Sequence, residues 1–397
     1  PTGQTGPVGN GLQPAHYRFI LYESLSHSWC CPLSQRPIRR KSHRLFFPAA
    51  CVHAAMALPL SMAAMLSGWA WTPGLAGSHH GHEMIFGFAL AVIAGYTLGP
   101  QPTRWLGTLF GLWLVARLGY TLAPGLWLSQ LLSPAFALLL AWRVVPRFKA
   151  AKKWRNRMLV PLITALCGLS LLWLVMRVAP VPGATALLHT AVILLLLLMT
   201  FMSGRLIAPA VAGTLEKRGI TLEARVQPRI EGALILLLGA AALATLLSLP
   251  TDLGGFLLVA AGLLILTRTL RWRLWLCPDR PDLWGLAMGT LWLGIGSGAL
   301  GVALLLDWEP ATPIHLVTVG ALGTLTISVM LRLHYYAYRR EPPPLSILIA
   351  SLGPVTLAAL TRLTAGHDPQ LLWAAAGAWS LAYLLTSIMI LHHPTRG

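Results

Sequence analysis

Charge is scarce in this chain: only 11% of its 397 residues are Asp, Glu, Lys or Arg, 12 of them acidic against 30 basic. With 56% apolar residues and a mean hydropathy of +0.66, that scarcity excludes an ordinary water-soluble domain and leaves an integral membrane protein. The net charge of +18 does not point to nucleic acid. Nucleic-acid binding needs basic residues on one solvated face, and here they fall in short clusters between apolar runs. Cysteine is sparse too. Cys30, Cys31, Cys51, Cys167 and Cys277 are odd in number and form neither a CxxC nor a CxxCH, which argues against a disulfide framework and against covalently attached haem. Residues 1–44 lack the apolar stretch of a signal peptide. The chain opens on Pro1 and its first methionine is Met56, so position 1 is not taken for a translation start.

What is present is long apolar runs. A helical span needs about 20 apolar residues, and twelve runs qualify, near 45–71, 83–99, 105–122, 125–145, 158–178, 183–203, 230–249, 253–270, 284–306, 313–332, 344–363 and 370–391. Every Lys and Arg except Arg117, Arg177 and Arg362 falls on one side of the alternation those runs define, while Asp252, Asp307, Glu309 and Asp368 fall on the other. By the positive-inside rule this gives an all-α polytopic fold of twelve transmembrane helices with both termini cytoplasmic. Residues 1–44, rich in Gly and Pro and ending in RPIRRKSHR (36–44), read as a flexible or peripheral basic segment. Residues 45–391 are then the membrane domain and 392–397 a cytoplasmic tail. His27, Cys30 and Cys31 lack zinc-site spacing.

Imidazoles and charges are costly to bury in lipid, so their positions carry information. His79, His80, His82 and Glu83 stand at the outer end of the second run; His189 and His315 stand near the outer ends of the sixth and tenth; Arg117 lies in the outer half of the third. Three helices thus bring imidazoles to one depth. Haem in a helical bundle needs axial imidazoles, a slot for the flat ring and cations for its propionates. His82, His189 and His315 are the candidate ligands, Arg117 a propionate partner, and Gly87, Ala91, Gly95 and Gly99 a side-chain-free face for the ring or, more simply, for a neighbouring helix. Glu83 is expected to accept a hydrogen bond from a ligand histidine, or to pair with Arg117. Copper would take imidazole and thioether, as from His80 and Met84. His80, in the cap before His82, can also point away from it and serve a second centre. His53 is read as structural and away from this group; His334, His392, His393 and His367 are read as solvated. Gly294, Gly298, Gly320 and Gly323 are read as helix contacts.

HGHEMIFGFALAVIAGY (80–96), RLFFPAA (44–50), GRLIAP (204–209) after the sixth helix, RPDLW (280–284) and HLVTVGALG (315–323) followed by Arg332 resemble the NnrS family of haem- and copper-containing membrane proteins linked to nitric oxide and denitrification. The resemblance covers about residues 44–391. It departs at Ala287, where a histidine is expected, and at YYAYRR (335–340), which replaces a Gly-His-rich turn, so copper is the less secure cofactor. It implies a protein of the bacterial cytoplasmic membrane that carries haem b, with copper possible, and binds or responds to nitric oxide or related nitrogen oxides. A membrane redox partner is possible; whether the protein turns over a substrate stays open. Two other classes fit the span count. A haem oxidoreductase would need more ligands, and a metal-free secondary transporter would show broken helices at matching points of two halves.

Overall fold

The computed structural model describes residues 39–152, 154–178 and 183–392. The expectations for residues 1–38, including His27, Cys30 and Cys31, and for 393–397, including His393, lie outside the described residues. Among the described residues the chain forms twelve long helices: α1 (His43–Leu66), α2 (78–97), α3 (Thr103–Leu122), α4 (Trp127–Lys149), α5 (Leu159–Val178), α6 (Ala184–Glu216), α7 (Pro228–Leu246), α8 (Thr251–Arg271), α9 (Pro281–Leu305), α10 (Ala311–Tyr338), α11 (Leu345–Thr364) and α12 (Pro369–His392). Ten are long and apolar enough to cross a membrane. The other two are α2, whose first turns carry His79, His80, His82 and Glu83, and α3, which carries Arg104 and Arg117. Each of the twelve apolar runs coincides with one helix.

The differences lie at the ends. Residues 39–44, expected to belong to the peripheral segment, are in regular structure: β1 (Arg39–Lys41) pairs antiparallel with β2 (Pro100–Pro102), and α1 starts at His43. Ser42 ties this start to the end of α2, its Oγ donating to Gly95 O at 3.0 Å and its N–H to Gly99 O at 3.2 Å. The sixth helix is longer than its apolar run. At 33 residues α6 extends about 50 Å, well beyond a hydrocarbon core of about 30 Å, so GRLIAP lies inside the helix rather than after it.

Two helices change period next to a histidine. In α2 the α-turn Ser78–His82 passes into a π segment, Glu83–Ala89, before α geometry resumes at Leu90–Thr97. In α10 Ala311–His315 is followed by the π segment Leu316–Gly323. Such segments are rare and concentrate at functional sites.

In an apolar medium a freed backbone group needs a new partner, and one in α1 has it. Pro59 in α1 has no N–H to offer Ala55 O four residues back, and Ser380 Oγ of α12 donates to that carbonyl at 2.7 Å. Trp379 Nε1 donates to Ala54 O at 3.1 Å, so the first and last helices lock together. Glycine sets the closest crossing. A Cβ on Gly262 of α8 would stand 2.7 Å from Gly294 O and 2.8 Å from Gly298 N of α9. Gly320 and Gly323 admit Trp292 and Trp379 in the same way.

Candidate functional site

Glu83 sits at the centre of a buried ionic cluster. Its side chain is fully buried, Arg117 is 3% exposed and His82 1%. Arg117 Nη1 donates to Glu83 Oε1 at 2.5 Å, and its other terminal nitrogen donates to Ser133 Oγ of α4. His82 Nδ1 lies 3.2 Å from the same carboxylate oxygen; a carboxylate only accepts, so the imidazole carries its proton on Nδ1. The second oxygen, Oε2, has no hydrogen-bond partner among the described residues and faces His53 Nε2 at 3.6 Å. His53 therefore belongs to this cluster, not apart from it. A helix of 3.6 residues per turn rotates each residue by about 100°, and position along α1 alone could not show which way residue 53 faces.

Arg117 is thus held through its two terminal nitrogens by Glu83 and Ser133, while its buried Nε has no hydrogen-bond partner among the described residues. The glycine face of α2 is filled. A Cβ at Gly87 would come within 2.7 Å of Arg117 Nη1 and 3.0 Å of His53 Nε2, and one at Gly95 within 2.5 Å of the Phe47 ring. The close approach is to side chains of neighbouring helices, which leaves no slot for a macrocycle there. His82 is walled in by aromatics: Tyr120 stacks on it with centroids 4.0 Å apart and 18° between planes, and Trp173 and Phe86 flank it at 5.4 and 5.3 Å. Tyr120 OH meets His79 Nδ1 at 2.8 Å and accepts from Trp173 Nε1 at 3.1 Å.

His80 faces another way. Two residues along a helix differ by about 200°, so His80 and His82 leave α2 on nearly opposite sides. Ser61 Oγ of α1 lies 2.9 Å from His80 Nδ1 and donates its single proton to Leu75 O at 2.8 Å. The serine must accept from the imidazole, which puts the proton of His80 on Nδ1 and the lone pair on Nε2. His315 reaches the same state by another route: its Nδ1 donates to Ala311 O, one turn back, at 2.5 Å. The two rings are close enough to interact electrostatically, and both feel the Arg362 guanidinium of α11. Arg362 Nη1 is buried with no hydrogen-bond partner among the described residues. Helices α1, α2, α10 and α11 thus gather two half-buried imidazoles of matching tautomer and one uncommitted cation.

His189 joins neither group. It lines a separate cavity of about 280 Å³ with Thr251 and Ile314, and it interacts electrostatically with Glu309. The residues placed at one depth by the sequence, His82, His189, His315 and Arg117, therefore fall into three environments. Sequence reading set aside His53 and Arg362 and gave Ser61 no role. Arg362 did carry a signal, being one of three basic residues outside the inner clusters. Met84 is half-buried on the π segment, and among the described residues no group of three His, Cys, Asp or Glu side chains converges to hold a metal ion. His334, expected in solvent, is 5% exposed and packs against the Tyr338 ring at 4.7 Å; His367 and His392 are exposed as expected.

The remaining motif residues build the opposite end of the bundle. Asp282 of RPDLW takes a two-pronged contact from Arg280, 2.9 Å on each oxygen, and a further one from Arg332. Arg280 also reaches Thr214 Oγ1 and Tyr336 OH at 2.9 Å each. Gly204 of GRLIAP leaves room for Arg268, which donates to Thr200 O at 3.0 Å and pairs with Glu231 at 3.1 Å. These are architectural contacts.

No curated protein matches the chain. A family model described as NnrS protein matches residues 37–395. That match takes in the histidine end, both π segments and the arginine clusters alike, and the chain belongs to the NnrS family.

Proposed function

We propose that this chain is a haem protein of the bacterial cytoplasmic membrane, crossing it twelve times with both termini inside, and that it binds nitric oxide or a related nitrogen oxide. Family membership and the distribution of basic residues support the setting. One observation carries the site: His80 and His315 each have Nδ1 committed to a hydrogen bond and Nε2 left with its lone pair. A metal-bound histidine is typically fixed in this way through its distal ring nitrogen. The donors fit haem, which asks for one or two imidazoles and a cation for its propionates. His80 and His315 would hold it, and Arg362 would neutralise a propionate. When bound, haem supplies an iron atom that ligates nitric oxide. Ser61 and the Ala311 carbonyl keep the two rings in the ligating tautomer. The Glu83, Arg117 and Ser133 contacts pin α2 to α3 and α4, which holds the turn carrying His80 in place. Copper does not fit as well: His80 and Met84 give two donors, short of the set a protein copper centre uses.

Optical spectra of the purified protein test the reading. We expect a Soret band that shifts on adding nitric oxide and is lost in both His80→Ala and His315→Ala, while His189→Ala retains it. A protein without iron by mass spectrometry and without a pyridine-haem spectrum would sink the proposal, and solute flux in liposomes from such a preparation would point to a transporter.

A further inference from the structure

At the end of the bundle remote from His80, a cavity of about 410 Å³ opens where β1 and β2 meet α4. Three guanidinium groups line it, those of Arg39, Arg143 and Arg147, together with Gln101 and Trp142. No acidic residue lines it, and none of the three arginines is in an ion pair among the described residues. Two are held in place by other means. Arg143 Nε donates to Gln101 Oε1 at 3.0 Å and its guanidinium lies 5.2 Å from the centre of the Trp105 ring, while Arg147 caps the last carbonyls of α2 at Leu98 and Thr97. Arg39 on β1 is exposed and has no side-chain partner among the described residues. Three like charges around one cavity repel one another, and an anion placed between them relieves that repulsion.

We propose that this cavity binds the phosphate-bearing headgroup of an acidic phospholipid. The fixed guanidinium forks match phosphate oxygens. Such basic pockets between helices at the inner membrane surface are the expected seat of anionic headgroups. Two features favour a lipid over a free phosphate ion. The space is far larger than one small anion needs, given about 30 Å³ per water molecule. From its rim an exposed apolar column runs along α4 through Trp142, Leu138 and Leu131, 64%, 45% and 41% exposed, a track on which an acyl chain can lie.

The test uses the full chain, purified in detergent, stripped of lipid and titrated with phosphatidylglycerol or phosphatidylcholine under native mass spectrometry. Phosphatidylglycerol is expected to bind with clear preference. Arg39→Gln should weaken it about five-fold and the Arg39→Gln/Arg143→Gln pair about 25-fold, with phosphatidylcholine unaffected, at about 1 kcal/mol per basic residue near a headgroup. Arg39 is exposed and has no partner among the described residues, so its single variant keeps the fold and decides the matter if the pair does not express. Equal binding of the two lipids, or wild-type affinity in Arg39→Gln, would overturn the proposal. Displacement of phosphatidylglycerol by an equal concentration of inorganic phosphate would overturn it too, by making the cavity a soluble-anion site.

Discussion

Replacing Arg117 with methionine keeps most of the side-chain volume and removes the charge that faces Glu83. Both partners are 3% exposed or less, so water cannot take over the lost contact. Glu83 Oε1 would keep only the His82 N–H, Oε2 already has no hydrogen-bond partner among the described residues, and Ser133 would lose its donor. Breaking one side of a buried pair costs about 3–5 kcal/mol, mainly because the other charge stays behind uncompensated. Neutralising that charge as well, in Arg117→Met/Glu83→Gln, should restore most of the stability and leave a deficit of about 1–2 kcal/mol for the lost hydrogen bonds. Glu83→Gln alone strands the Arg117 charge at a similar cost, so the double-mutant cycle gives a coupling energy of about 4 kcal/mol or more. Reversible unfolding in mixed micelles by increasing dodecyl sulfate, followed by helical circular dichroism, measures all four proteins. Additive effects, or a single variant as stable as the parent, would refute the reasoning and mean that the pair is solvated.

The other expectations concern the same packing. Gly87→Ala places a methyl 2.7 Å from Arg117 Nη1 and 3.0 Å from His53 Nε2, and since Arg117 is pinned at both ends the cost should be about 1–3 kcal/mol; no loss in the same unfolding assay would mean that the cluster is loose. Asp282→Asn leaves Arg280 and Arg332 without their shared carboxylate and should destabilise the opposite end by several kcal/mol, read as faster proteolysis of the 272–281 turn. Asp279, exposed outside the spans, is held below the ordinary carboxylate value by a hydrogen bond from Arg218. Its lowered value means the contribution is present above about pH 3.9 and fades as pH falls through the folded value. Asp279→Asn should therefore behave like the parent at low pH and differ only slightly at neutral pH, as a pH series of melting temperatures would show.

Much of this architecture is legible in the sequence because lipid imposes a simple rule. A span must be about 20 residues long and apolar, and loop charge fixes the parity, so twelve helices can be counted without a structure. Depth is legible for the same reason: His82, His189, His315 and Arg117 stand at comparable distances from their helix ends. Azimuth is not. Which neighbour a residue faces depends on how helices distant in the chain pack, and each helix has an apolar surface nearly all round. His53 and Glu83 are brought to 3.6 Å by the packing of α1 on α2, and nothing along either helix announces it. The π segments are equally hidden, since EMIFGFA and LVTVGALG read as plain apolar helix.

Those π segments bear on why a cluster of buried charge stands so near the proposed ligands. Each follows directly after a histidine, Glu83–Ala89 after His82 and Leu316–Gly323 after His315. A π turn holds more residues than an α turn, so the helix beyond it is rotated relative to the turn before it. The first turns of α2 and α10 can then aim their imidazoles independently of the packing that fixes the rest of each helix. Orientation alone would leave those turns loose, because a five-residue α-turn has little stability of its own. Glu83 supplies the missing constraint on α2: it opens the π segment and is clamped by Arg117 from α3, which Ser133 of α4 holds in turn. On α10 no ion pair stands at the same place among the described residues; Gly320 and Gly323 instead let Trp292 and Trp379 close on the π segment itself. One histidine-bearing turn is thus anchored by charge and the other by close packing. The buried Glu83–Arg117 pair, which costs desolvation and is poor value as a source of stability alone, makes sense as the device that fixes where His80 points.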